Sequence, residues 1–252
     1  MRKQILGVML GLSVLLSGCS SQSTESMLQE VKKDAKEVKS GKATMMLSSI
    51  KENNNSSRNL GFEISGDEKF DPLELKASGK TFHSNKSYET EDYIKDGVYY
   101  IKSNIDSKTV WYKRKVPVGN KHILNFKDQS ISMQEGILNL LDNKDNWDIS
   151  KDGDKVTFKL KKTDELKNKV KEIHNKELKK DLKYSEFEYT VEYVYNTKNK
   201  KLDKLFYEIV AATSSSPLRV TTRGTLEDLN KEIKIELPEE SKEAKELKEK
   251  KE

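Results

Sequence analysis

The residue with the most distinctive chemistry is Cys19, the single cysteine of a 252-residue chain. With no second thiol it can form no internal disulfide, so its use lies in the nucleophilicity of sulfur. Ser17 and Gly18 stand directly before it, and such small side chains let an extended backbone enter a peptidase. Other reactive residue types are present without the spacing that chemistry needs. His83, His122 and His174 are far apart, and none lies at ligand spacing from another histidine or from the cysteine, so each reads as a surface residue and no metal is expected. The chain has no glycine-rich phosphate loop and no G-x-S-x-G elbow, and Ser214-Ser215-Ser216 before Pro217 reads as a polar turn. Glu186, Glu188 and Glu192 would serve as acid and base only if one were desolvated, but they alternate with an aromatic face and should point to water. The expectation is no catalytic residue, no enzymatic activity and no cofactor.

The residues before Cys19 explain how its sulfur would be used. Arg2 and Lys3 form a short basic start, and Ile5 to Leu16 is an apolar run broken only by glycine and serine. That run is too short to cross a hydrocarbon layer needing about 20 helical residues, so it reads as a targeting segment. Leu16-Ser17-Gly18-Cys19 closes it and resembles the lipobox of bacterial lipoproteins. The resemblance implies a diacylglycerol thioether on Cys19, with acyl chains such as palmitate, and cleavage after Gly18. Each buried methylene contributes about 0.8 kcal/mol and one chain anchors only marginally, so a two-chain lipid is what makes attachment stable. The expected place is therefore the extracytoplasmic face of a cell membrane. The expected partition is a signal peptide at 1–18, a lipidated tether at 19–25, one domain at 26–240 and a charged tail at 241–252.

Composition bounds that domain. Apolar residues make up 34% and charged residues 35% of the chain, against a usual apolar share of about 45 to 50%. Either the core is thin or much of the chain is solvated surface. The net charge of +5 falls further when Arg2 and Lys3 are removed, which leaves no argument for nucleic acid. A monomer is expected, partnered with the membrane through its anchor.

Hydrophobic period places the elements. Leu28, Val31, Ala35 and Val38 recur at helical spacing over 26–38, and Ser40-Gly41 ends the helix. The period then changes to two, predicting strands near 42–51, 59–70, 73–83, 86–95, 98–103 and 109–116. Asn53 to Ser57, Asp71-Pro72, Ser84-Asn85 and Asp96-Gly97 supply the turns, the last suiting a tight primed turn. After a break at Pro117 to Lys121 the spacing predicts a helix over 132–142, a hairpin of 147–150 with 155–161 joined at Asp152-Gly153, and an amphipathic helix over 163–182. Its lysine face could touch anionic headgroups, each near-surface lysine contributing about 1 kcal/mol. Phe187, Tyr189, Val191, Tyr193 and Tyr195 alternate with polar residues in the next strand. Leu202 to Thr213 carries apolar residues on both faces, predicting a central strand covered on both sides. Strands at 218–226 and 233–237 complete this second meander, and 239–252 reads as frayed or marginally helical.

This order of elements resembles the superfamily of the bacterial lipoprotein localisation factor and its Gram-positive lipoprotein relatives. The residues that carry the likeness are Tyr93-Ile94-Lys95-Asp96-Gly97-Val98-Tyr99-Tyr100, Trp111-Tyr112-Lys113, and Ile233-Lys234-Ile235-Glu236-Leu237-Pro238-Glu239-Glu240. It implies an α+β fold: a strongly curved antiparallel sheet, a half-barrel of about ten to twelve strands, with helices covering the concave face. It also implies non-catalytic binding or carriage of a lipid or other hydrophobic small molecule. Such a ligand would meet Ile137, Leu138, Leu141, Val170 and Ile173 from the helices and Phe187, Tyr189, Val191, Phe206 and Val210 from the sheet. Burial and binding select the same side chains, so a filled core used as an envelope or surface interaction module stands as the alternative, and the aromatic alternation reads first as core.

Overall fold

The computed structural model describes residues 22–53, 56–84, 86–105, 108–116, 123–215 and 218–247. The targeting segment, Cys19, the first tether residues, Asn54, Asn55, Asn85, the break at Pro117 to Lys121, His122, Ser216-Pro217 and the end of the charged tail lie outside the described residues. Among those described, no helix is long and apolar enough to cross a membrane.

The architecture is the expected α+β half-barrel. Helix α1 (Thr24–Glu37) leads into strands β1 (Ser40–Asn53), β2 (Ser56–Phe70), β3 (Leu73–His83), β4 (Lys86–Lys95), β5 (Val98–Ile105) and β6 (Lys108–Lys115). A run of short helices follows, with α2 (Phe126–Gln129) and α3 (Glu135–Leu138) joined and extended by 3-10 turns. Then come β7 (Trp147–Asp152), β8 (Lys155–Leu160), α4 (Asp164–Leu178), β9 (Tyr184–Asn196), β10 (Lys201–Thr213), β11 (Leu218–Glu227) and a two-residue β12 (Lys245–Glu246). They form one open sheet in the order β12-β6-β5-β4-β3-β2-β1-β11-β10-β9-β8-β7. Every pairing is antiparallel except β12 on β6.

Local chemistry sets the ends and the curvature. Ser23 accepts from the Ser26 amide to start α1, and Thr163 accepts from the Leu166 amide to start α4, each satisfying one of the orphan donors of a first turn. At Asp96-Gly97 both residues have positive φ, the geometry a two-residue hairpin turn requires. Gly66 and Gly79 sit where the β2 and β3 backbones come close: an added Cβ would lie 2.0 Å from Lys76 O and 1.9 Å from Glu63 O. Only a residue without Cβ permits that approach, which is how glycine lets a sheet curve.

One contiguous core fills the covered face, drawing on α1, α3, α4 and strands from β1 to β11. α1 crosses it against β9 and β10, so the cover includes a helix besides those at 132–142 and 163–182. A smaller cluster of Tyr93, Trp111 and Ala244, with Tyr100 and Leu237 against it, closes the other face beside the β6 edge.

Four expectations are corrected. The helix expected over 132–142 is broken into α3 and flanking 3-10 turns. Ser130 and Ser132 hydroxyls bond each other at 2.6 Å in the interior, and Tyr193 Oη donates to Ser132 O at 2.5 Å, so side chains and carbonyls here serve tertiary partners instead of a regular ladder. α4 ends at Leu178 because Lys179 adopts the left-handed conformation of a C-terminal cap. The 233–237 segment is not a strand; Ile235 is buried, and Lys95 Nζ donates to its carbonyl at 2.7 Å, so side-chain burial produced the alternation without backbone pairing. Lastly, 239–246 is not frayed: a 3-10 turn at Glu239–Glu243 buries Ser241, and β12 pairs with Tyr112 and Lys113.

Candidate functional site

The expected ligand-contacting residues fall into two groups. Ile137, Leu138, Leu141, Val170, Phe187, Tyr189 and Val191 are each at most 2% exposed and belong to the one core, with Ile173 packed against them. The β9–β10 register sets Phe187 opposite Ala211, Tyr189 opposite Ile209 and Val191 opposite Tyr207, so these side chains share the covered face. None of them lines any of the principal clefts. Phe206 and Val210 are corrected: they pair with Glu192 and Glu188 on the opposite face and are half-buried there. β10 is an interior strand but has one tightly covered face, because a period of two sends 205, 207, 209 and 211 inward and the residues between them outward. Cys19 lies outside the described residues.

The glutamates of β9 are spent on ion pairs. Glu186 takes both nitrogens of a forked contact from Arg219, at 2.9 and 3.1 Å, and Glu188 accepts from Lys167 at 2.7 Å. The cations hold both carboxyls below the usual range, so neither can act as an acid near neutrality. Among the described residues no group of three His, Cys, Asp or Glu is placed to hold a metal ion.

Two carboxyls do lie inside the half-barrel. Glu68 of β2 is fully buried and accepts from the Phe126 amide through Oε1 at 3.0 Å and Oε2 at 3.3 Å, tying α2 to the sheet. Burial pushes its carboxyl well above the ordinary carboxylate range. Asp92 of β4 accepts from Tyr99 Oη at 2.5 Å and Thr90 Oγ1 at 2.9 Å, and burial raises it too. Both oxygens of Asp92 are engaged, so the arrangement is structural. Strand parity announces both residues, since Glu68 is in phase with Ile64 and Phe70, and Asp92 with Ile94.

A cleft with an apolar floor on the covered sheet face holds about 190 Å³ and lies between α4 and the α2 segment over β10 and β11. Tyr207, Ile209 and Thr222 form its floor, Ile131 and Gln134 one wall, and His174, Glu177 and Leu178 the other. Leu178 is 46% exposed at the mouth. His174, expected at the surface, is half-buried instead: its Nδ1 is 2.7 Å from Tyr184 Oη and its ring packs edge-on against Phe187. The signal was available, because His174 follows Val170 by four residues on the apolar stripe of α4. Burial lowers its affinity for a proton and keeps the imidazole neutral at neutral pH. A larger opening of about 750 Å³ beside the end of α1 mixes Val38, Leu202 and Leu229 with Asp34, Glu37, Lys39 and Lys201; its Asp34 carboxylate is committed to the Leu202 amide at 2.8 Å and to Lys201.

Fold and site together define an open half-barrel with a packed core and a small apolar-floored cleft between α4 and α2. Residues 23–246 match the model of a family described as of unknown function, DUF6612, and the chain belongs to that family. A crystal structure of LprF from Mycobacterium bovis is similar over 85% of this chain and 96% of that chain, at 16% identity and a TM-score of 0.44. A DUF1329 family protein from Desulfovibrio piger is similar over 83% of this chain and 93% of that chain, at 8% identity and a TM-score of 0.21. No curated protein sequence matches.

Proposed function

We propose that this chain is a lipoprotein anchored through Cys19 on the extracytoplasmic face of the cell membrane, and that it binds a hydrophobic ligand without catalysis in the cleft between α4 and α2. The observation that supports the reading is the floor of Tyr207 and Ile209 opening beside exposed Leu178, which brings part of the apolar face of the sheet to a cleft. At about 190 Å³ the cleft is smaller than the roughly 300 to 1,000 Å³ of ordinary ligand pockets, so it suits one end of a ligand and not a whole two-chain lipid. The test is a native mass spectrum of the full chain purified from its cells with Cys19→Ala, which removes the anchor lipid. A bound hydrophobic molecule, released by organic solvent, is the expected result; bare polypeptide mass over repeated preparations would count against ligand binding.

A second reading, an interaction module of the cell envelope with a filled core, is favoured by the packing of Ile137, Leu138, Leu141, Val170, Phe187, Tyr189 and Val191 against one another. The same experiment separates the two readings.

A further inference from the structure

The protons around His174 can be assigned from hydrogen-bond partners alone. Asn175 Nδ2 donates to Leu182 O at 3.1 Å, which orients the amide and leaves Oδ1 as an acceptor. Tyr184 Oη donates its single proton to that Oδ1 at 2.6 Å. The hydroxyl therefore has only a lone pair for His174 Nδ1, 2.7 Å away, and the histidine must supply the proton of that contact. In a neutral imidazole with hydrogen on Nδ1, Nε2 is a bare acceptor. No described residue bonds Nε2, while every buried side-chain nitrogen or oxygen of the described residues has a partner, so Nε2 is open to the cleft that His174 lines.

Gln134 has the same character: with its amide nitrogen toward Glu177, at 3.1 and 3.2 Å, it turns its own oxygen the other way. A head that carries no donor proton, an ester or an ionised carboxylate, leaves such acceptors unpaired.

We infer that the cleft takes an amphiphile with one apolar chain and a hydrogen-bond-donating head, a hydroxyl or an ammonium, with His174 Nε2 as the acceptor that reads it. The chain end lies on Tyr207 and Ile209 and against Leu178. This deepens the ligand-binding proposal above and rests on it. A site built to accept a hydrogen bond rejects an analogue that cannot donate one, because its own polar atom is then left unpaired.

The experiment titrates the full chain carrying Cys19→Ala with four probes of one chain length: monodecanoylglycerol, decylamine, methyl decanoate and decanoate. The first two should bind at least about tenfold more tightly than the last two, and whichever of the first two binds better identifies the head as hydroxyl or ammonium. His174→Asn retains a nitrogen at the Nδ1 position for Tyr184 and deletes the Nε2 position, so it should lose about tenfold for monodecanoylglycerol while melting as the parent does. His174→Gln, with an amide near the Nε2 position, should recover part of that loss even if it melts lower. If no probe binds, the hydrophobic-ligand reading itself falls. If all four bind alike, or His174→Asn binds monodecanoylglycerol as the parent does, only the inference about the head is overturned.

Discussion

Glu68 shows how much one side chain decides in this molecule. It is the buried anchor for α2, and its raised proton affinity has a definite consequence for stability. In the unfolded chain a glutamate releases its proton near pH 4.3, whereas the folded state keeps it on to higher pH, so unfolding releases a proton and stability falls as pH rises from about 4.3 toward the folded value. Glu68→Gln still accepts from the Phe126 amide and cannot ionise. Its melting temperature relative to the parent should therefore climb across that window, and parallel profiles would contradict the assignment. Gly224 makes a second residue-scale prediction. An added Cβ would lie 2.4 Å from the Tyr207 ring and 2.8 Å from the Phe126 ring, which pack edge to face. Gly224→Ala should cost about 1 to 3 kcal/mol by overpacking, measured by denaturant unfolding. Neither residue was singled out from the sequence: strand parity puts Glu68 on the covered face, but what it meets there, or what a strand glycine makes room for, is known only from the tertiary neighbours.

At the scale of elements, the strands were legible because each buries one face, and a period of two survives a composition this polar. β3 and β4 span the stretches their alternation predicts, and Asp96-Gly97 forms its expected turn. The broken helix at 126–142 was not legible, since Ser130, Ser132 and Gly136 answer to Tyr193 and Ile173, which lie far away in the chain. The same limit applies to 233–237, where Leu237 packs on the Tyr93–Trp111 cluster and Ile235 is buried, yet no strand forms. Within the candidate site, the apolar residues proposed from helix and strand periodicity do meet, but seven of them, Phe206 and Val210 aside, meet as packed core with Ile173 against it, and the cleft next to them draws on Tyr207, Ile209 and His174, which the same periods mark without showing that a cleft opens there. Val191 tests this packing: it is fully buried opposite Tyr207. Val191→Trp should cost about 1 to 3 kcal/mol, and a variant as stable as the parent would mean that an unfilled space exists there. The amides of β10, held between β9 and β11, should be among the slowest to exchange, and those of β12 on the sheet edge among the fastest.

For the whole molecule, the reading proposed above divides the work between an anchor at Cys19 and the folded domain. Gln22 is already fixed, its Oε1 accepting from Tyr195 Oη at 2.9 Å, so only a few residues separate Cys19 from the folded domain. Cys19→Ala should release the protein from salt-washed membranes or leave an uncleaved precursor, and full retention of a processed form would end the lipoprotein reading. The central claim is that a hydrophobic ligand enters the cleft between α4 and α2 and leaves the packed core closed. Methyl NMR of the full Cys19→Ala chain titrated with monodecanoylglycerol tests it most directly. The account predicts that Leu178 and Ile209 methyls shift while those of Val191, Val170 and Leu141 stay in place; shifts led by the core methyls, or none at all, would contradict it.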